Sequence, residues 1–216
     1  LTAAGLTTAE VGAIQVGGSV GSIPNSLAHS MIATLFPAMA ECHGAGDVVG
    51  VNRLASRYLL HVTCFILPIS ALFLFAAPDL VHFWLRAPYP LVVVSVRMLT
   101  ITFALRALAM VPWRVSWGCG RPQDSSVAMI VHLSLLAGGG ALLLLSSAFS
   151  YTGILVVYLS SYAASTLYLY WCMHRRLPDF LSADNLWLFW SVLRVLLISL
   201  LAGSLHYLVC RLLLEK

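Results

Sequence analysis

Long, uninterrupted apolar stretches dominate the pattern of hydrophobic and polar positions along this chain. A helix needs about 20 residues to cross a hydrocarbon core of about 30 Å. Six stretches reach that length, over about residues 11–40, 58–85, 91–117, 126–149, 151–172 and 186–209. Polar and apolar residues do not alternate with a period of two, so membrane strands are disfavoured. The pattern predicts an all-α integral membrane protein, a six-helix transmembrane bundle with short connections.

Local signals mark the first predicted span. Thr7 and Glu10 have the spacing of a capping box, which predicts a helix start at this point. Pro24 predicts a kink further along. Gly18 and Gly21, together with Asn25, form a face of small residues on which a neighbouring helix can pack closely.

Composition removes several classes of protein. Charged residues make up 9% of the 216 residues and apolar residues 60%, whereas an average globular chain is about a quarter charged. So little polar surface cannot cover so much hydrocarbon in water, which argues against a soluble enzyme. A net charge of +4 is too small for the basic stripe of a nucleic-acid binder, so nucleic acid is not an expected partner. Membrane lipid is the expected surrounding.

The distribution of Lys and Arg predicts an orientation, because cytoplasmic loops carry an excess of both. Six arginines fall near one face of the membrane: Arg53, Arg57, Arg114, Arg121, Arg175 and Arg176. The other face receives Arg86, Arg211 and Lys216. This asymmetry predicts that the first, third and fifth connections are cytoplasmic, and an even number of spans then places both chain ends outside.

A polar stripe follows the first span. It consists of Gln15, Ser19, Ser22, Ser26 and His29. Steps of three and four residues confine these side chains to an arc of about 80° on a helix. Small hydroxyl residues allow close helix packing, which is one interpretation. Gln15 and His29 are large for such packing, so the wall of a water-lined cavity is the other.

Two later spans differ in their polar content. The fifth carries a second polar face, and packing is the favoured interpretation there because tyrosines near span ends are common interface anchors. Its members are Tyr158, Ser161, Ser165 and Tyr168. The fourth span is rich in leucine and shows no polar stripe, so we expect it to face mostly lipid.

The third span contains Arg97, Arg106 and Arg114, with Arg106 close to its centre. A central arginine costs about 3 kcal/mol on the insertion scale, so Arg106 is expected to face protein or water. Arg194 lies a few residues into the sixth span. No Asp or Glu falls inside a predicted span, which leaves a carboxylate from a further part of the protein, or an anionic substrate, as the partner of Arg106.

The sequence lacks the common signatures of enzymes and metal sites. It contains no H-E-x-x-H, no G-x-S-x-G and no phosphate-binding glycine loop. Its five cysteines are scattered without a C-x-x-C pair. We therefore expect no catalytic residues, no metal and no cofactor, and we interpret the protein as something other than an enzyme.

Several short motifs, taken in order, resemble the carboxyl-terminal half of the Wzx-type polysaccharide flippases. These flippases belong to the multidrug/oligosaccharidyl-lipid/polysaccharide exporter superfamily. The resemblance covers about residues 6–176 and rests on Thr8-Ala-Glu-Val-Gly12, Phe36-Pro37-Ala-Met-Ala40, Gly46-Asp47, Phe83-Trp84-Leu85 and Gly118-Cys-Gly-Arg-Pro122. Arg86 stands where the family usually has Gly, and Tyr151-Thr-Gly153 keeps only part of the family's glycine pattern.

The resemblance implies that residues 1–216 form the carboxyl-terminal transmembrane lobe of a twelve- to fourteen-helix flippase, whose partner would be a missing amino-terminal lobe. The chain starts at Leu1 rather than Met, with a predicted span a few residues later, and this also suggests part of a larger bundle. The implied function is the movement of an undecaprenyl-diphosphate-linked oligosaccharide across the bacterial inner (cytoplasmic) membrane.

On this hypothesis Arg106, assisted by Arg97 and Arg194, holds the diphosphate of the substrate. The stripe that includes Gln15, Ser22 and His29 lines the path of the sugar. Three alternatives stay open: a cation-coupled drug exporter of the same superfamily, a membrane enzyme acting on lipid-linked sugars, and a purely structural membrane subunit.

Overall fold

The computed structural model describes residues 6–146 and 149–177, with residues 190 and 194 in addition. This part of the chain is all-helical, as predicted, and contains no strand. Its helices are α1 (Thr8–Gly21), α2 (Ile23–Ile32), α3 (Leu35–Gly44), α4 (Val48–Phe75), α5 (Ala77–Leu85), α6 (Pro90–Gly118), α7 (Pro122–Leu145) and α8 (Tyr151–Arg176).

Four of these helices, α4, α6, α7 and α8, are long and apolar enough to cross a membrane. They correspond to the second to fifth predicted spans. The sixth predicted span, 186–209, lies outside the described residues except for Trp190 and Arg194, which are both helical and exposed.

The first predicted span, 11–40, is not one continuous helix. It consists of α1, α2 and α3, separated at Ser22 and at residues 33–34. Pro24 and Pro37 each lack the N–H that a continuous helix would use, and each ring clashes with the carbonyl four residues earlier. The capping box at Thr7 and Glu10 is present as predicted, because the Thr7 side chain accepts from the Glu10 N–H and the Glu10 carboxylate accepts from the Thr7 N–H.

The second predicted span, 58–85, also differs from the observed helices. The Asp47 side chain accepts a hydrogen bond from the Gly50 N–H at 2.8 Å, which caps α4 ten residues before the predicted start. As a result Arg53 and Arg57 lie in the first turns of α4, both exposed. The helix ends at Phe75, and α5 begins beyond Ala76, with Pro78 in its first turn.

The central element is α6, which packs against every other described helix. Its closest approach to α1 is at Gly17 and Gly21. A Cβ added at Gly21 would lie 3.0 Å from the Thr100 backbone nitrogen, and one added at Gly17 would overlap the Ser95 Cβ. Gly21 therefore allows the close approach of a neighbouring helix, as predicted. Gly17 carries the tighter contact, whereas Gly18 meets its nearest neighbour only at ordinary contact distance.

Two proline residues leave backbone carbonyls without their helical donors, and side chains from other helices replace those donors. Pro78 cannot donate to the Leu74 carbonyl, which instead accepts from the Nε–H of Arg97 at 3.1 Å. Pro112 cannot donate to the Leu108 carbonyl, which instead accepts from the Tyr170 hydroxyl at 3.1 Å. These bonds tie α6 to α4 and α8 to α6.

We expect Tyr170→Phe to lower the free energy of unfolding by about 1 kcal/mol, because the partly buried Leu108 carbonyl loses its donor. In a Pro112→Ala background the backbone N–H of residue 112 can serve that carbonyl, so the effect of Tyr170→Phe should shrink. Thermal unfolding of the four proteins of this cycle in detergent measures the difference. An equal effect in both backgrounds would show that the Tyr170 hydroxyl does not replace the donor that Pro112 lacks.

The connections meet at two ends of the bundle. Residues after α3, after α6 and at the end of α8 line one shared cavity, so these connections lie together; we call this the arginine-rich end. At the opposite end, the Tyr151 hydroxyl donates to the Leu91 carbonyl at 2.7 Å and also bonds the Ser95 hydroxyl, which joins the starts of α6 and α8. The chain therefore runs back and forth as the spans predict.

Candidate functional site

A groove of about 290 Å³ opens along α6 between α2, α7 and α8. We call it the Arg106 groove. It is lined by His29, Arg106, Ala109, Met110, Trp113, Arg114, Trp117, Ala128, Met129, His132, Tyr162, Ser165 and Leu169. Aromatic rings, cationic groups and one serine therefore face the same space.

Arg106 is exposed on α6, and its guanidinium carbon lies 5.9 Å from the centre of the Tyr162 ring. This is a cation–π distance. Within the described residues Arg106 makes no hydrogen bond to a neighbouring oxygen and has no carboxylate partner. Its hydrogen-bonding capacity is thus available to a ligand in the groove.

A cluster of three rings lies beside the groove, and two of them, His132 and Tyr162, line it. The His132 ring lies 4.1 Å from that of Tyr162 and 6.0 Å from that of Tyr158, and the two tyrosine rings are 5.1 Å apart in an edge-to-face arrangement. His132 is only 5% exposed, and its Nδ1 has no hydrogen-bond partner among the described residues. The packing of the rings fixes the position of this buried nitrogen beside the groove.

The charges of the groove have one sign. Arg106 and Arg114 are cations, and none of the described lining residues carries a carboxylate. Positive charge with aromatic surface favours an anionic ligand that has an extended face. Ser165 adds a hydroxyl whose hydrogen is bonded to the Tyr162 carbonyl at 3.0 Å, so its oxygen can still accept a hydrogen bond.

The structure brings together two of the six residues that the sequence predicts as a substrate site, Arg106 and His29. Gln15 and Ser22 lie on α1 and in the break before α2, and they do not line the groove. Arg194 is exposed and helical, and it is likewise absent from the lining.

Arg97 does not reach the groove either. Nine residues at 100° per residue place it on the side of α6 opposite Arg106 and about 13 Å away along the axis. Its Nε–H is bonded to the Leu74 carbonyl. The geometry therefore gives Arg97 a role in backbone pairing, which the sequence alone did not indicate because the missing donor belongs to Pro78 in another helix.

The polar stripe of the first span lies largely on the surface. Gln15, Ser19, Ser26 and His29 are exposed. The Ser19 and Ser26 hydroxyls donate to carbonyls of their own helical turns, at 3.1 and 3.2 Å. No described helix packs on this face, so packing within the described part does not account for the stripe. The cavity-wall interpretation stays a prediction.

Helix α7, which contains most of the fourth predicted span, has at its start a polar face that the sequence did not reveal. Most of α7 is exposed, in line with the expected lipid-facing helix, but Asp124, Ser125, Ala128 and His132 are buried. Positions four residues apart share one side of a helix, and that spacing was the available signal. Only the first turns of α7 carry this face, and the long leucine-rich remainder obscured it.

A second cavity, of about 410 Å³, lies at the arginine-rich end. Asp124 and Arg176, which join the start of α7 to the end of α8, line it as a two-bonded ion pair, with Arg176 Nη2 to Asp124 Oδ1 at 2.7 Å. Burial raises the pKa of the Cys119 thiol, which also lines this cavity. Asp124 is a buried carboxylate that lies just before the fourth predicted span, and its partner is already within the described chain.

The described residues contain no group of three or more His, Cys, Asp or Glu side chains that could hold a metal ion. Comparisons with protein-family models, with curated proteins and with solved structures found no match to this chain.

Proposed function

We propose that this chain is one lobe of a multi-pass flippase that moves an undecaprenyl-diphosphate-linked oligosaccharide across the bacterial cytoplasmic membrane. The observation that carries the proposal is Arg106, an unpaired guanidinium in the middle of a 29-residue apolar helix, facing a groove with no described carboxylate. In a membrane such a cation needs a countercharge. A diphosphate supplies one that can accept two parallel hydrogen bonds.

The groove also suits the rest of the substrate. Trp113, Trp117 and Tyr162 offer flat aromatic faces, and Ser165 and His29 offer hydrogen bonds to sugar hydroxyls. The surrounding helices α4, α6, α7 and α8 have the length and composition of membrane spans. The lipid tail can therefore stay in the bilayer while the head group occupies the groove.

The proposal includes a sixth span over 186–209, an amino-terminal lobe as partner, and an arginine-rich end that faces the cytoplasm. The exposed stripe on α1 and α2 would face the cavity between the lobes, where Gln15 and Ser22 can contact the sugar. In this arrangement the exposed polar side chains of the stripe, which no described helix covers, would contact the substrate.

Two alternatives have less support. A cation-coupled exporter of the same superfamily would use a membrane-embedded carboxylate, but the buried carboxylate among the described residues, Asp124, is bonded to Arg176. A membrane enzyme on lipid-linked sugars would need general acid or base groups beside the bound sugar, and the described lining of the Arg106 groove contains no carboxylate.

A flipping assay with the full-length protein in liposomes tests the proposal. We expect the protein to accelerate the transfer of an undecaprenyl-diphosphate oligosaccharide between leaflets, scored by the accessibility of the glycan to an added glycosidase. A neutral polyprenyl glycoside without phosphate should not be accelerated, because it offers no charge to Arg106. Equal acceleration of both lipids, or of neither, would refute the proposal.

A further inference from the structure

One buried nitrogen of the Arg106 groove is unexplained by the fold. His132 is 5% exposed, lines the groove, and has no partner on Nδ1 among the described residues. A buried polar atom without a hydrogen bond costs about 1–3 kcal/mol. Five other described side chains, Asn25, Asn52, Ser56, Ser70 and Thr100, also have such an atom, and none of them lines either cavity.

We propose that the Nδ1–H of His132 donates a hydrogen bond to the phosphate group that Arg106 attracts, so that the two side chains form one phosphate-head subsite. This inference deepens the proposed function and rests on it for the identity of the lipid. It names His132 as a ligand-contacting residue, which the sequence, with its scattered histidines, did not single out.

The position of Tyr162 supports this pairing. Its ring contacts both partners, with the Arg106 guanidinium carbon at 5.9 Å and the His132 ring centre at 4.1 Å. Tyr162 thus holds a cation from α6 and an imidazole from α7 beside the same space. The ionised oxygens of a diphosphate that is esterified at both ends only accept hydrogen bonds, and a guanidinium and an imidazole N–H are both donors.

The other groups facing His132 do not fill this role. Tyr158 and Tyr162 of α8 contact it through their rings, and the Ser161 backbone and the Ser165 hydroxyl belong to the same helix, but Nδ1 has no hydrogen bond to any of them. His29 of α2 and Arg114 of α6 line the same groove, and neither is hydrogen-bonded to Nδ1. A ligand acceptor is therefore the missing partner of Nδ1.

Three substitutions separate hydrogen bonding by Nδ1 from ring packing. His132→Asn places an amide group at the same number of bonds from Cα as Nδ1 and retains a donor there. His132→Gln moves the amide one bond further, towards the position of Nε2. His132→Phe keeps the ring that packs against Tyr162 but removes both nitrogens. Thr100→Val is the matched control, because it removes a buried, unpaired side-chain atom that lines neither cavity.

The measurement is the Kd of the purified full-length protein for a polyprenyl phosphate, with inorganic phosphate as a second probe. We expect His132→Phe and His132→Gln to raise the Kd about tenfold or more, as for loss of a hydrogen bond to a charged group. His132→Asn should stay within about threefold, and Thr100→Val should leave the Kd unchanged. Sensitivity with both probes assigns the subsite to phosphate itself, and sensitivity with the lipid alone assigns it to a lipid head.

The inference is overturned if His132→Phe binds both probes as tightly as the unchanged protein, or if His132→Asn loses binding while remaining folded by thermal unfolding. Either result would leave His132 as a packing residue. The flipping assay separates this failure from failure of the proposed function, because transport of the diphosphate-linked glycan that still depends on Arg106 would stand without His132.

Discussion

Arg106→Ala is expected to weaken phosphate binding about ten- to hundredfold and to bring flipping of the diphosphate-linked glycan close to background. A hydrogen bond to a charged group contributes about 1.5–3 kcal/mol, and each 1.4 kcal/mol is a tenfold change in Kd. Arg106→Lys keeps the charge but loses the planar two-pronged geometry, so an intermediate loss is expected. Since Arg106 is exposed and makes no hydrogen bond to described residues, folding should be little affected.

Arg97→Ala is the informative comparison, because it removes the same charge from the opposite side of α6. Arg97 supplies the hydrogen bond that the Leu74 carbonyl lacks, so we expect a lower unfolding temperature with little change in the Kd. The Kd, the flipping rate and thermal unfolding are measured on both variants. Normal flipping by Arg106→Ala would contradict the assignment of Arg106 as a phosphate ligand. A larger loss of binding in Arg97→Ala than in Arg106→Ala would also contradict it.

Gly17→Ala is expected to destabilise the fold by about 1–3 kcal/mol, the usual range for overpacking a close contact. The added Cβ would overlap the Ser95 Cβ and lie 2.9 Å from the Ser95 carbonyl carbon and 3.0 Å from the Val96 nitrogen. Two of these atoms belong to the backbone of α6, so a change of rotamer cannot relieve the overlap. The two helices must separate.

Gly12→Ala is the matched control on the same helix, because no described atom lies within 4 Å of the Cβ it would add. Alanine is also the better helix former by about 1 kcal/mol. We therefore expect Gly12→Ala to be neutral or stabilising and Gly17→Ala to lower the unfolding temperature and the yield of monodisperse protein in detergent. Similar behaviour of the two variants would show that α1 does not pack against α6 at Gly17.

Helix content and the positions of the long helices could be predicted from the sequence. The apolar stretches at 91–117 and 151–172 correspond to α6 and α8 with small shifts of their ends. The breaks in the first span were only partly predicted, because Pro24 signals a kink but not whether the chain resumes as one helix. The early start of α4 depends on a single cap at Asp47, which is a weak signal beside a strongly apolar stretch.

The site was harder to predict, because burial and pairing depend on other helices. Arg97 and Arg106 differ in the sequence only by their depth in one apolar span, and the position of the Leu74 carbonyl gives Arg97 a different role. His132 was one of several scattered histidines. Its Nδ1 became significant once the packing of α7 on α8 placed it against Tyr162.

The sequence by itself determined that this chain is helical and apolar enough for several membrane spans, and that a cation stands near the middle of one of them. Those properties follow from composition and from periodicity along a single segment. The tertiary structure decided which polar groups share a space, because α2, α6, α7 and α8 converge on the Arg106 groove from distant parts of the chain. It also decided the hydrogen-bond partners of Arg97 and Arg176, which are a backbone carbonyl and a carboxylate on other helices.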